Sequence, residues 1–163
     1  MPKLRQISVP QHFPDAHELL SAWRWLIGDQ PYDIVLVSIF GDPFLQDEQG
    51  QVYWLDVGEG ELEETVDTLE AFRVLLKDEK QYQMWFMPDL AAALIEAGKE
   101  LQPRQVYSYL KLPIIGGTFE PENFAPADLS VHLFIAGQIH RQVKDLPDGT
   151  RVHIKPAPRE GGA

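Results

Sequence analysis

Short strand-forming runs separated by tight-turn signals constrain the fold of this chain more than any other feature. A β-branched run covers residues 34–40, and two further runs at 44–46 and 51–57 flank a turn sequence at 47–50. A fourth run follows at 62–66. Because strands joined by tight turns pair with their neighbours in an antiparallel sense, these runs predict an antiparallel meander.

Apolar residues at helical spacing lie on both sides of this meander, with capping residues and glycines marking the ends of the helices. The predicted helices cover 15–27 with Asp15 as the N-cap, a segment capped by Thr68, 88–98, and 129–145 with Asp128 as the N-cap. Further strands are predicted at 105–112 and 151–155, and an ordered loop at 113–126. This order predicts a single α+β domain over residues 1–163, with a largely antiparallel sheet flanked by helices and a tail at 156–163.

Several glycines and tryptophans carry expectations about packing. Gly137 lies inside a predicted helix, which predicts that another backbone passes close to it. The pair Gly116 and Gly117 predicts either backbone angles closed to other residues or a close approach to the 128–145 segment. Of the tryptophans, Trp25 falls off its helix's apolar stripe and is expected to be exposed. The others are expected in the core, at positions 23, 54 and 85.

The chain contains no cysteine, which excludes disulfides, thiolate metal sites and cysteine nucleophiles and suits a reducing compartment. Its first residues lack the apolar stretch of a signal peptide, and its longest apolar runs are too short to cross a bilayer. We therefore expect a cytoplasmic protein that does not bind membranes.

Acidic charge is concentrated in one part of the chain. The net charge is −11, and residues 42–79 hold twelve acidic and two basic residues. Such a segment repels phosphate backbones, so no direct nucleic-acid binding is expected, and it attracts basic partners. A role in solubility alone remains the alternative. If a basic protein binds here, the turn tips are the expected contacts, at Asp47, Glu48, Glu59 and Glu61.

Two histidines in the predicted helix at 129–145 raise the question of catalysis. His132 and His140 are eight residues apart, about 12 Å along a helix axis, so they cannot chelate one metal ion as a pair. No serine, cysteine or acid lies at a spacing that builds a nucleophile–base pair. The glycines at 58 and 60 suggest a phosphate loop, but the neighbouring glutamates would repel a phosphate. We expect structural histidines, no metal and no cofactor.

Three stretches together resemble a family of bacterial immunity proteins that protect type VI secretion strains from their own DNase effectors. They are residues 38–62, 110–124 and 128–150, and the resemblance extends over about 7–155. The family was long described as a domain of unknown function and is placed in a GAD-like immunity superfamily. Its motif maps onto Gly41, Asp42, Trp54, Asp56, Gly116, Gly117, Gln138, His140 and Gln142, as structural or binding residues.

The resemblance implies an α+β immunity protein without an active site, which binds and neutralises a basic toxin such as a DNase. A second reading, from another functional class, is a small-ligand-binding domain with a cleft near Gly116, Gly117 and His140. An enzyme is the third and least favoured reading, because no constellation of catalytic residues emerges from the sequence.

Overall fold

The computed structural model describes residues 7–9 and 12–151. Its larger sheet is the predicted antiparallel meander, with the strands in sequential order. The strands are β1 (Asp33–Val37), β2 (Pro43–Gln46), β3 (Val52–Asp56) and β4 (Glu61–Val66). β1 ends three residues earlier than predicted because the chain turns at Ser38, whose hydroxyl accepts hydrogen bonds from the N–H groups of Phe40 and Asp42.

A smaller antiparallel sheet and the helices complete the described part of the chain. The sheet pairs β5 (Gln105–Tyr109) with β6 (Phe124–Asp128). The helices are α1 (Ala16–Leu19), α2 (Arg24–Ile27), α3 (Leu69–Leu75), α4 (Glu79–Phe86), α5 (Pro88–Glu96) and α6 (Leu129–Val143). The α+β class and the antiparallel pairing are confirmed, although the strands form two sheets rather than one. Of the predicted strand at 151–155, residues 152–155 lie outside the described residues.

The prediction of one continuous helix over 15–27 is wrong. A 3-10 turn at Ser21–Trp23 separates α1 from α2, and Gly28 ends the segment as expected. The indole Nε1 of Trp23 donates to Leu133 O at 2.9 Å, and this contact with α6 fixes the irregular backbone. Asp15 occupies the N-cap position without capping, because its carboxylate pairs with Arg104 at 2.7 Å.

The sequence pattern also missed α4, which Asp78 caps by accepting a hydrogen bond from Gln81 N–H at 3.0 Å. α4 and α5 are separate because Met87 adopts a left-handed conformation (φ 41°) directly before Pro88. A residue that precedes proline is disfavoured in the right-handed helical region, so a break is expected there. The Thr68 cap is confirmed, with its hydroxyl accepting from Ala71 N–H.

Both faces of the larger sheet are buried at β2 and β3, whereas β4 is largely exposed. Phe44 and Trp54 pack on one face against α3, α4 and α5, whereas Leu45 and Leu55 pack on the other against α1, α2 and α6. This division follows the two-residue alternation of side chains along a strand. Trp23, Trp54 and Trp85 are buried as predicted. Trp25 is half-buried instead of exposed, because its Nε1 donates to Gly137 O at 3.2 Å.

Hydrogen bonds from the side chains of Asn123 and Lys99 hold the backbone of the segment between β5 and β6. Asn123 donates to Lys111 O and Thr118 O and accepts from Lys111 N–H, all at 2.8–3.0 Å. Lys99 donates to Pro121 O and Phe124 O, both at 2.9 Å. The segment is therefore ordered, as the sequence indicated, and it includes the 3-10 turns Pro113–Ile115 and Pro121–Asn123.

The two loop glycines have different roles. Gly116 adopts φ 97°, a left-handed conformation that other residues rarely adopt. At Gly117 a Cβ atom would lie 1.7 Å from Lys111 O, so the loop backbone itself passes too close for a side chain. The contact that Gly117 makes is with residues 111 and 112, whereas the sequence suggested the 128–145 segment.

Replacing either glycine with alanine separates these two effects. Gly116→Ala should cost about 1–2 kcal/mol, because only backbone strain opposes it. Gly117→Ala should cost about 3 kcal/mol or more, because the methyl group overlaps a carbonyl oxygen that Asn123 holds in place. Urea unfolding would measure both losses of stability, and we expect the dependence of the unfolding free energy on urea concentration to stay unchanged. Equal midpoints for the two variants would contradict the close approach at Gly117.

Candidate functional site

Two histidines attach α6 to the rest of the fold. His132 is buried, with Nε2 3.2 Å from Gly41 O and Nδ1 2.8 Å from Ser108 Oγ. His140 is also buried, with Nε2 2.7 Å from Val57 O. Because a carbonyl oxygen can only accept, the ring proton of each histidine is assigned to Nε2.

Glycines make room for both rings. A Cβ atom at Gly41 would lie 2.2 Å from His132 Nε2, and one at Gly60 would lie 2.4 Å from His140 Nδ1. Both glycines also have positive φ angles, 80° and 73°. The motif residues Gly41 and His140 therefore belong to the packing of α6 against two turns of the sheet.

Ser108 and His132 form a pair that sequence spacing did not predict, since 24 residues separate them. With its proton on Nε2, His132 accepts the Ser108 hydroxyl proton at Nδ1, the arrangement of a nucleophile and its base. Burial, however, lowers the pKa of His132 to about 4. The partner of its Nε2–H is the neutral carbonyl of Gly41, so no carboxylate raises the basicity of the ring. The pair serves as a buried anchor.

Two carboxylates lie beside these histidines. Asp42 is buried, its Oδ1 accepts from Val57 N–H at 3.1 Å, and loss of solvation raises its pKa well above the usual value. Burial also raises the pKa of Asp56, to about 6, while its Oδ1 accepts from Glu59 N–H at 3.2 Å. These motif residues therefore order the turn after β3, and Asp42 contributes little to the acidic surface.

The remaining motif residues differ in exposure. Trp54 is buried in the core against Trp85, Gln138 is partly buried, and Gln142 is exposed on α6. The structure thus brings Gly41, Asp42, Asp56 and His140 into one region. Gly116 and Gly117 shape the loop between β5 and β6 instead.

The four acidic residues predicted to contact a partner lie in two pairs at opposite ends of β3. Asp47 and Glu48 belong to the β2–β3 turn, Glu59 belongs to the β3–β4 turn, and Glu61 is the first residue of β4. Asp47 is already engaged, because its oxygens accept from Gln49 N–H, Gln51 N–H and the Tyr53 hydroxyl. The other three are exposed.

The acidic segment is not neutralised by ion pairs. Within residues 7–9 and 12–151, the ion pairs are Arg104–Asp15 and Lys144–Asp145, and neither involves residues 42–79. The uncompensated charge can therefore act on molecules outside the chain, over about 8 Å at physiological ionic strength.

Two adjoining cavities border α6. The first, of about 350 Å³, lies between α6 and the β5–β6 sheet, and its lining is mainly apolar. The second, of about 490 Å³, is lined by Glu59, Glu61, Ile114, His140 and Leu146 among others, and Ile115 lines both. The sequence predicted a cleft near Gly116, Gly117 and His140. Of these three residues, only His140 lines one of the two cavities.

The described residues hold no candidate for a metal site or for a membrane-spanning helix. No group of three or more histidine, aspartate or glutamate side chains there could hold a metal ion. Within the same residues, no helix is long and apolar enough to cross a membrane.

Comparison with known proteins finds a family model that matches part of the chain. Residues 66–140, from the end of β4 to the last turn of α6, match the family described as T6SS immunity protein Tdi1, C-terminal. The predicted resemblance to type VI secretion immunity proteins is thereby confirmed. The chain is also similar to the crystal structure of Atu4351 from Agrobacterium tumefaciens, with 17% identity, a TM-score of 0.54, and 82% of this chain and 68% of that chain covered. This likeness shows the fold alone. No curated protein matches the chain.

The buried His132 gives a pH dependence that a titration of stability would reveal. Its pKa is about 4 in the folded protein and about 6.5 in an unfolded chain. Between these values the unfolded chain binds a proton that the folded protein does not, so stability falls as the pH falls from 7 to 4. The contribution is about 3 kcal/mol.

His132→Gln removes this proton, whereas Asp42, Asp56 and His140 titrate in both proteins. Lowering the pH from 7 to 4 should therefore reduce the free energy of unfolding of the variant by about 3 kcal/mol less than that of the native protein. Denaturant unfolding at several pH values measures the difference. Parallel pH profiles for the two proteins would contradict a neutral, buried His132.

Proposed function

Because residues 66–140 match a type VI secretion immunity family, we propose that this protein binds and neutralises a cognate toxin without catalysing a reaction. The partner that we propose is a basic protein, of the DNase class that the sequence resemblance implies. The cytoplasm is the proposed compartment, because a DNase acts on the chromosome there.

The observation that supports a basic partner is the unneutralised acidic surface. Glu59 in the β3–β4 turn and Glu61 at the start of β4 are exposed, without an ion pair to any described residue, beside a cavity that polar and apolar residues line together. We propose this end of β3 as the contact, with Glu48 at the other end contributing only to long-range attraction. Charges at such a surface mainly increase the rate of association, because they steer the approaching partner.

Binding without catalysis agrees with the chemistry of the buried residues. The Ser108–His132 pair has a ring with a pKa of about 4, which makes it a weak base at neutral pH. The raised pKa values of Asp42 and Asp56 follow from burial in a turn that the two carboxylates order. None of these groups needs a substrate to explain its position.

A small-ligand-binding domain remains the second candidate. The first cavity, of about 350 Å³, falls within the range of small-molecule sites, and its lining is mainly apolar. Native mass spectrometry of protein purified from its own host would test this function. A stoichiometric mass addition that the Ile135→Trp variant loses would support it, and the bare chain mass would count against it.

Salt dependence of association is the test of the toxin proposal. The tagged protein is used to recover its partner from the native host, and the complex is rebuilt from purified components. The association rate constant should fall at least about tenfold between 50 and 500 mM NaCl. Glu59→Gln with Glu61→Gln should slow association at low salt and weaken its dependence on salt.

The double variant Glu18→Gln with Glu96→Gln is a matched control, because it removes the same charge from two other exposed positions. It should retain a rate close to that of the native protein. An association rate that neither salt nor the Glu59 and Glu61 changes affect would contradict a basic partner and leave the acids a role in solubility.

A further inference from the structure

Exposed apolar side chains concentrate around the two cavities beside α6. Leu110 is 69% exposed and borders the first cavity with Ile135, while Ile114 and Leu146 border the second. Phe119 is about half exposed and packs edge-on against Tyr109, which lines the first cavity. The other large apolar side chains of the described residues with comparable exposure are Val74, Met84 and Ile95, which line neither cavity. Apolar patches of this kind mark sites of interaction.

Hydrogen bonds fix the loop between β5 and β6, which presents Leu110, Ile114 and Phe119. Asn123 holds its backbone from within the loop, Lys99 holds it from the segment before β5, and Gly117 N–H donates to Leu112 O at 2.9 Å. A loop fixed before binding loses little conformational entropy when a partner arrives, so its apolar side chains can contribute nearly their full burial energy.

The second cavity adds charge to this apolar surface. Glu59 and Glu61 lie at its edge, neither of them in an ion pair with a described residue, and Asp148 lines it as well. Its one lysine, Lys144, is already paired with Asp145 at 2.8 Å. Ile115 lines both cavities, so apolar and acidic parts are contiguous. An apolar centre with a charged rim is the usual anatomy of a protein–protein interface.

We propose that the two cavities form one docking groove for a segment of the partner toxin. An apolar side chain of that segment enters the first cavity, between Leu110 and Ile135. An arginine or lysine close to it in the segment packs its aliphatic stem on Ile114 and pairs with Glu59 and Glu61. The identity of the partner rests on the proposed function, whereas the chemistry of its segment is inferred from the residues that line the groove.

Charge favours such a segment over a second copy of this chain. Each copy carries a net charge of −11, so self-association at this surface would bring further acids toward Glu59 and Glu61. Like charges at close range oppose association. A cationic partner segment relieves the repulsion between the two glutamates instead.

A small probe tests the groove without the toxin. N-octanoyl-L-argininamide carries an aliphatic chain and a guanidinium, and N-octanoyl-L-citrullinamide replaces the guanidinium with a neutral urea group of nearly the same shape. Titrations followed by ¹H–¹⁵N NMR should show shifts at residues 110–115 and 131–139 with both compounds. The arginine compound should bind about threefold more tightly, as expected for an exposed ion pair. Glu59→Gln with Glu61→Gln should abolish that preference.

Matched variants identify the apolar half. Leu110→Ser should weaken binding of both probes, whereas Val74→Ser, a change at a similarly exposed position (65%) away from both cavities, should not. Equal affinities for the two probes, or shifts outside the groove, would overturn the proposal.

The toxin itself then tests the identity of the occupant. Leu110→Ser should raise the dissociation rate of the rebuilt complex relative to Val74→Ser, and equal rates would overturn the groove as the docking site. Failure of the native protein to bind any toxin, with probe binding intact, would instead overturn the proposed function and leave the chemistry of the groove standing.

Discussion

The packing of α6 against the sheet is the interaction on which the rest of the structure depends. His132 donates to Gly41 O, His140 donates to Val57 O, and Trp23, whose ring lies beside that of His140, donates to Leu133 O. At Gly137 a Cβ atom would lie 2.6 Å from Ala22 O, which confirms the predicted close backbone approach. These polar groups are buried, and leaving one without its partner costs about 1–3 kcal/mol. The helix is therefore fixed in position along its whole length.

That fixed helix links the buried framework to the proposed binding surface. His132 bonds to the β1–β2 turn and His140 to the β3–β4 turn, both at one end of the meander, which places Glu59 and Glu61 beside the C-terminal half of α6. Ile135 and Ile139, on the same helix, form one wall of the apolar cavity, and the β5–β6 sheet forms the other. The acidic turn and the apolar groove thus adjoin because both are built against one helix. The Tdi1-type match covers α6 and the loop, whereas most of the acidic meander precedes it.

The sequence predicted those parts of the fold that depend on local pattern. Alternating strands with tight turns gave the meander, and apolar spacing with Asp128 in front gave α6, although the Asp128 side chain makes no capping hydrogen bond. The break between α1 and α2 escaped prediction because Trp23 bonds to a residue 110 positions away. The acidic residues were recognised as a group, but their division between the two ends of β3 depends on the strand direction. The pairing of Ser108 with His132 required the fold, since no spacing in the sequence signals it.

In the proposed complex, the partner binds where the acidic β3–β4 turn meets the apolar groove beside α6. Hydrogen–deuterium exchange of the protein, alone and in the complex with its toxin, tests this claim most directly. We expect slower exchange on binding at residues 57–62, 110–119 and 131–139, with the β2–β3 turn at 47–50 unchanged. Protection confined to the 47–50 turn or to α3 and α4, with these three segments unaffected, would contradict it.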